Sequence, residues 1–180
     1  MALKVKRPER TVRVCLDGAL VAEYEAVEAE LEDVRNRKLV DARLNDPVAA
    51  LERRLGELWE KQQAETVVFR LRALSRHAWD DLKSDHKPRA DHKLDEHYGF
   101  NTGTIFDAAL ASDGVIVEVT KNGKKVPFKA EDWGGFSEDL TAGQFADFQV
   151  AGNELNGGQS EVPFSYAGYK RIHDSGENSN

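Results

Sequence analysis

Apolar residues recur along the first third of the chain at two different periods. In TVRVCL (residues 11–16), Val12, Val14 and Leu16 alternate with Thr11, Arg13 and Cys15, the period-two pattern of a short strand. Asp17-Gly18 breaks that pattern as a turn or helix entry. From Ala19 to about Arg37 the apolar positions are Leu20, Tyr24, Val27, Leu31 and Val34, spaced to form one seam down a helix whose other faces carry six acidic residues. Asn45-Asp46-Pro47 restarts the periodicity, with Asp46 suited to an N-cap and Pro47 to a first helical turn. Val48, Leu51, Leu55 and Leu58 continue it, with Trp59 beside them. Two helices of similar length, each with one narrow stripe, predict an antiparallel hairpin in which the stripes cover each other.

The pattern is shorter-ranged after residue 63. TVVFRLRAL (66–74) is rich in β-branched and aromatic residues and predicts a strand, and Ser75 is placed to cap a helix over RHAWDDLKSDH. Residues 86–101 hold Pro88 and Gly99 and no apolar period, so a polar loop is expected there, pinned by Tyr98 and Phe100. Thr104 opens a short helix, IFDAALAS, that Asp113-Gly114 stops. VIVEVT, Lys121, Asn122-Gly123 and KKVPF spell a β-hairpin around a two-residue turn. Glu131, Asp132 and Trp133 start a further helix that Gly134 and Gly135 weaken. Thr141 and Gln144 form a capping box for a last helix with Phe145, Phe148, Gly152 and Leu155 on one side, ended by Asn156-Gly157-Gly158. From Gln159 the composition turns to Gly, Ser and Asn, apart from Val162, Pro163, Phe164 and Tyr166, and a flexible tail is expected.

The fold class that follows is α+β and mainly helical. Its expected parts are a strand plus helical hairpin over 1–63, a mixed body over 64–158, and an acidic tail over 159–180.

Charge sharpens this only at the C-terminal end. The formal net charge is −7, and residues 130–180 hold 9 acidic against 2 basic side chains, a balance that repels nucleic acid and anionic lipid. Cys15 is the single cysteine, which excludes an internal disulfide and suits a reducing compartment. No apolar run approaches the roughly 20 residues of a spanning helix, and MALKVKRPER has no apolar segment behind it, so neither a membrane span nor a secretory signal is expected.

Candidate chemistry is sparse. His77, His86, His92 and His97 lie among several acids, but their spacings of 9, 6 and 5 match no helix-based metal pair, so no metal or cofactor is expected. Cys15, flanked by Val14 and Leu16, sits where a strand packs a small residue rather than where a thiolate would be activated. No nucleophile elbow or phosphate-binding glycine loop is present. Arg70, Arg72, Arg76, Lys83, Lys87, Arg89 and Lys93, interleaved with Trp79, Tyr98 and Phe100, raise single-stranded nucleic-acid binding, but intervening acids cancel most of that charge.

The order of segments carries more than any one of them. FRLRALSRHAWDDL, then HYGFN before a small-residue helix, then QFADFQVAGNELN followed by VPFS, resembles the tail assembly chaperones of long-tailed bacteriophages that infect actinobacteria, over most of residues 10–168. The chain differs from that pattern at VIVEVTKNGKKVPF, where relatives run into a short loop and a helix.

The resemblance implies a protein without catalytic activity that acts in the host cytoplasm. Such a protein coats the long, apolar, helical tape-measure protein until the tail tube polymerises around it, with the tube protein as a second partner. It would work as a homo-oligomer or as many copies along the client. The partner-binding residues it implies are Phe145, Phe148 and Leu155 on the last helix and Val162, Pro163, Phe164 and Tyr166 in the tail. The rival reading is a structural tail or neck subunit retained in the particle.

Overall fold

The computed structural model describes residues 5–38 and 47–157. The expected strand at 66–74 lies in the middle of an antiparallel four-stranded sheet as β2 (Thr66–Arg72). Its neighbours are β1 (Glu9–Cys15) and β3 (Ile116–Lys121), and β4 (Lys124–Val126) closes the far edge in the order β1-β2-β3-β4. Alternation sets the faces. Val67, Phe69 and Leu71 are buried on one side of β2, level with Val12 and Val14 of β1 and Val119 of β3.

The other face of the sheet is charged and solvated. Arg70 reaches both Glu9 (3.2 Å) and Glu118 (3.0 Å), Arg72 pairs with Glu9 (2.7 Å), and Lys125 with Glu118 (2.6 Å). These pairs draw the carboxyls of Glu9 and Glu118 below their ordinary range, chiefly through hydrogen bonds from Arg72 and from Lys125. They also engage two of the arginines that had suggested a nucleic-acid surface.

The helical hairpin is α1 (Gly18–Lys38) and α2 (Pro47–Glu65). Asp17 caps α1, its side chain accepting from the N–H groups of Ala19 and Leu20. Val27, Leu31, Leu51 and Leu58 are buried against one another, and Leu20, Tyr24, Val34, Val48 and Leu55 pack around them. All nine positions of the predicted seam therefore meet. Exposed ion pairs Arg35–Glu52 and Arg54–Glu23 flank it. Asp46, the proposed cap of α2, lies outside the described residues.

One boundary moves. β1 was grouped with the hairpin, yet it pairs along its whole length with β2, from Glu9↔Arg72 to Cys15↔Thr66. The hairpin is thus an insertion between two adjacent strands, and α2 runs into β2 without a connector. Period-two alternation reveals a strand but not its partner, which is why the chain order misled.

The remaining helices are α3 (Arg76–Asp85), α4 (Lys93–Tyr98), α5 (Ile105–Leu110), α6 (Trp133–Glu138) and α7 (Ala142–Asn156). Of these, α5, α6 and α7 contribute side chains to the core on the buried face, and α3 packs on α5 beside it. Ser75 caps α3, and Thr141 with Gln144 forms the capping box of α7. Asn122 and Gly123 both adopt positive φ (52° and 72°), completing the predicted β-hairpin turn. Thr104 stands at the N-cap of α5, where the helix was expected to open, without a side-chain cap bond.

Aromatic rings dominate the core. Phe69 packs against Phe128, Phe136 and Phe148, and Trp133 against Phe136 and Phe148, with centroids 4.9–5.9 Å apart. The Trp133 indole N–H donates to Asp107 Oδ1 at 3.0 Å, tying α6 to α5 while satisfying a buried donor. A second cluster of Trp79, Phe100, Ile105, Phe106 and Ala109 joins the first through Leu74 and Phe145. Gly152 permits the approach of α7 to α5: a Cβ there would stand 2.9 Å from the Phe106 ring.

α7 is fixed at both ends. Gln144 Nε2 donates to the Cys15 carbonyl (3.0 Å), and Asn156 Oδ1 accepts from the Leu74 N–H (2.8 Å).

Candidate partner-binding groove

The stretch expected to be a polar loop, residues 86–101, contains α4 and is organised by one buried carboxylate. Asp95 is fully buried and accepts five hydrogen bonds. Arg89 supplies three, from its backbone N–H (3.1 Å), Nε (2.7 Å) and Nη2 (3.0 Å), and Thr102 supplies its N–H (3.1 Å) and hydroxyl (2.7 Å). The Arg89 fork, with help from Thr102, holds the Asp95 carboxyl far below its ordinary value of 3.8, against the opposing pull of burial.

His92 Nε2 lies 3.0 Å from Arg89 Nη2, which can only donate. His92 also caps α4: its Nδ1 accepts from the Asp95 N–H at 3.4 Å and lies 3.1 Å from Asp95 Oδ1. Gly99 ends α4 with φ +78°, a conformation glycine adopts without strain. Sequence periodicity could not find this helix, because polar bonds rather than an apolar stripe hold it; the local signals were Asp95, Glu96 and the trailing Gly99.

This network aims two side chains outward. Leu94 (58% exposed) and Tyr98 (43%) stand on α4, and Val150 (59%) faces them from α7. Between them runs a shallow groove of about 480 Å³, floored by Phe106 and Thr102 and flanked by Gln149 and Asn153. Gln149 Nε2 donates to the Thr102 carbonyl at 3.3 Å, bracing the two walls. Tyr98 stacks on Phe100 with centroids 5.8 Å apart, so its ring is fixed at the rim.

The expected binding residues are placed differently. Phe148 (0% exposed) and Leu155 lie in the sheet core, and Phe145 is half-buried against both core clusters. That face of α7 is consumed by the fold, because α7 must cover β1 and β2. This corrects the assignment of Phe148 and Leu155 to a partner. The available residue of α7 is Val150, which the helical stripe leaves out. Val162, Pro163, Phe164 and Tyr166 lie outside the described residues.

The histidines do not converge. His86 Nδ1 bonds Thr104 Oγ1 at 2.8 Å, His92 belongs to the Asp95 network, and His97 packs edge-on to Tyr98. Among the described residues no group of three or more His, Cys, Asp or Glu side chains is arranged to hold a metal ion. Cys15 is half-buried, with its thiol 3.6 Å from the Asp17 carbonyl. No helix among the described residues is long and apolar enough to cross a membrane.

Fold and groove together define an α+β protein with a helical hairpin inserted into an antiparallel sheet. Comparison with protein-family models, curated proteins and solved structures returns no match.

Proposed function

We propose that this protein is a tail assembly chaperone of a long-tailed phage, which binds the tape-measure protein in the host cytoplasm and keeps it dispersed until the tube protein replaces it. The observation that carries the reading is the convergence of Leu94, Tyr98 and Val150, three exposed apolar side chains on two rigid helices, around one groove. A tape measure exposes long helical apolar stripes that aggregate if left bare. A shallow apolar groove takes such a stripe by helix-in-groove packing, with anchors spaced three and four residues apart. Each contact is small, so holding the client depends on many copies along it, and the copies leave one at a time.

The reading assigns no bond-making step. Asp95, the buried carboxylate of the groove wall, has its lone pairs engaged by Arg89 and Thr102 and acts as a strut.

The test is co-expression with the tape-measure protein encoded beside it. The native chain is expected to keep the client in the soluble fraction, and the triple variant Leu94→Ser, Tyr98→Ser, Val150→Ser is expected to lose this with an unchanged circular dichroism spectrum. A client that stays equally soluble with the variant, or with no chaperone at all, would overturn the proposal.

A further inference from the structure

The two edges of the sheet are unlike. β4 is three residues long and carries Lys124 and Lys125, the usual protection of an exposed edge. β1 is seven residues long and has no lysine or proline within it. Its hydrogen-bonding polarity is set by two flanking bonds, Ala73 N–H to the Pro8 carbonyl (3.0 Å) and Leu16 N–H to the Glu65 carbonyl (3.0 Å). Even-numbered residues of β1 therefore face β2, and the N–H and C=O groups of Glu9, Thr11 and Arg13 point away from the sheet. Among the described residues nothing bonds to them, whereas the outward carbonyl of Cys15 is taken by Gln144. A channel of about 480 Å³ runs beside this edge, with Asp147, Val150 and Glu154 of α7 as its far wall.

We infer that β1 pairs antiparallel with β1 of a second copy about a two-fold axis through Thr11, joining two sheets into one of eight strands. The charge pattern selects this register. With Thr11 opposite Thr11, Glu9 stands opposite Arg13 of the second copy, twice by symmetry, on the solvated face. Arg13 is exposed and has no carboxylate within 4 Å among the described residues, although Arg70 and Arg72 on the same face of the sheet are both paired. Glu9 already receives Arg72 from one side and would receive Arg13 from the other.

Displacing the register by one step either way loses the complement: one displacement sets Arg13 against Arg7, the other sets it against Thr11. The paired residues Glu9, Thr11 and Arg13 are those whose backbone groups point outward, so each matched pair exchanges both its hydrogen bonds. This pairing is independent of the groove's client. One copy can dimerise and bind nothing, or bind a client as a monomer.

The experiment measures mass in solution, by sedimentation of the full chain over a concentration series. The native chain is expected to be a dimer. Thr11→Pro removes one outward N–H without touching a β1–β2 bond and is expected to give a folded monomer. Arg13→Glu, fully on the surface, sets like charges opposite each other at two symmetric places and is expected to weaken the dimer about tenfold.

The register has its own readout. In a Cys15→Ser background, Thr11→Cys is expected to cross-link on mild oxidation, since facing Cα atoms stand about 5.5 Å apart. Arg13→Cys is expected not to cross-link, its two thiols being about 13 Å apart along the strands. A monomeric native chain would overturn the inference. So would a dimer that Arg13→Glu leaves as tight as before, or a Thr11→Cys chain that fails to cross-link while remaining dimeric.

Discussion

The hairpin and the body solve the same problem, burying apolar side chains, by opposite means. The hairpin's core is one row: Val27 and Leu31 of one helix against Leu51 and Leu58 of the other, with partly buried neighbours and no aromatic ring at its centre. The body's core is assembled from distant pieces of chain, with Phe69 of β2, Trp133 of α6 and Phe148 of α7 packed ring on ring. Contacts in the hairpin repeat every turn, so each contributes little and the next can compensate. Contacts in the body are few, large and irreplaceable, because close-packed rings of fixed shape leave a cavity when one is removed. One region is redundant and the other is specific.

The difference can be broken most visibly from the hairpin side. Replacing Leu31 and Leu55 together by Asp places charge in the seam, and the helices of 21 and 19 residues that depend on it are expected to unravel. Far-ultraviolet circular dichroism should lose much of its helical signal, while the near-ultraviolet bands of the body's packed aromatics persist. Loss of both signals together would show that the regions fold as one unit. In the body, Phe148→Ala is expected to cost about 3–5 kcal/mol and to lower the melting temperature without shifting the hairpin's hydrogen-exchange protection.

A smaller effect is expected at Gly152. An alanine there must displace the Phe106 ring, costing about 1–3 kcal/mol by overpacking, read in chemical denaturation.

Acid sharpens the comparison differently. The Asp95 carboxyl is depressed in the folded protein, so its contribution is complete above the ordinary value of 3.8 and fades as pH falls below it. Protection of residues 86–104 is expected to decline below about pH 4, in a step that Asp95→Asn removes while lowering protection at neutral pH; the hairpin has no matching buried acid among its described residues. Thr141→Ala, which deletes one half of the α7 capping box, is expected to cost about 1 kcal/mol in the same denaturation measurement.

How much was legible follows the same division. Every seam residue of the hairpin could be named from spacing, because a helix repeats its contacts with a period that the chain displays. Ser75, Thr141 and Asn122-Gly123 were legible for a similar reason: caps and turns are made by residues adjacent in sequence. α4 was not legible. Its support comes from Arg89 and Thr102, on either side of it and folded back onto Asp95, and a polar strut leaves no apolar period.

The stripe on α7 was ambiguous for a related reason. Phe145, Phe148 and Leu155 form a genuine stripe on α7, but a stripe says only that a face is covered, not by what. Here the sheet covers most of it, and exposure fell instead to Val150 on the other side of α7 and to Leu94 and Tyr98, one turn apart on the short α4.

The amino-acid order by itself determined where most of the helices and strands start and which helices zip together. Only the tertiary structure decided that β1 belongs to the body's sheet, that Asp95 is buried and braced, and that one strand edge and one groove stay open. The physical reason is range. Backbone periodicity, caps and turns act within a few residues, where sequence and space nearly coincide. Burial, strand pairing and exposed surface depend on which distant segments arrive at the same place.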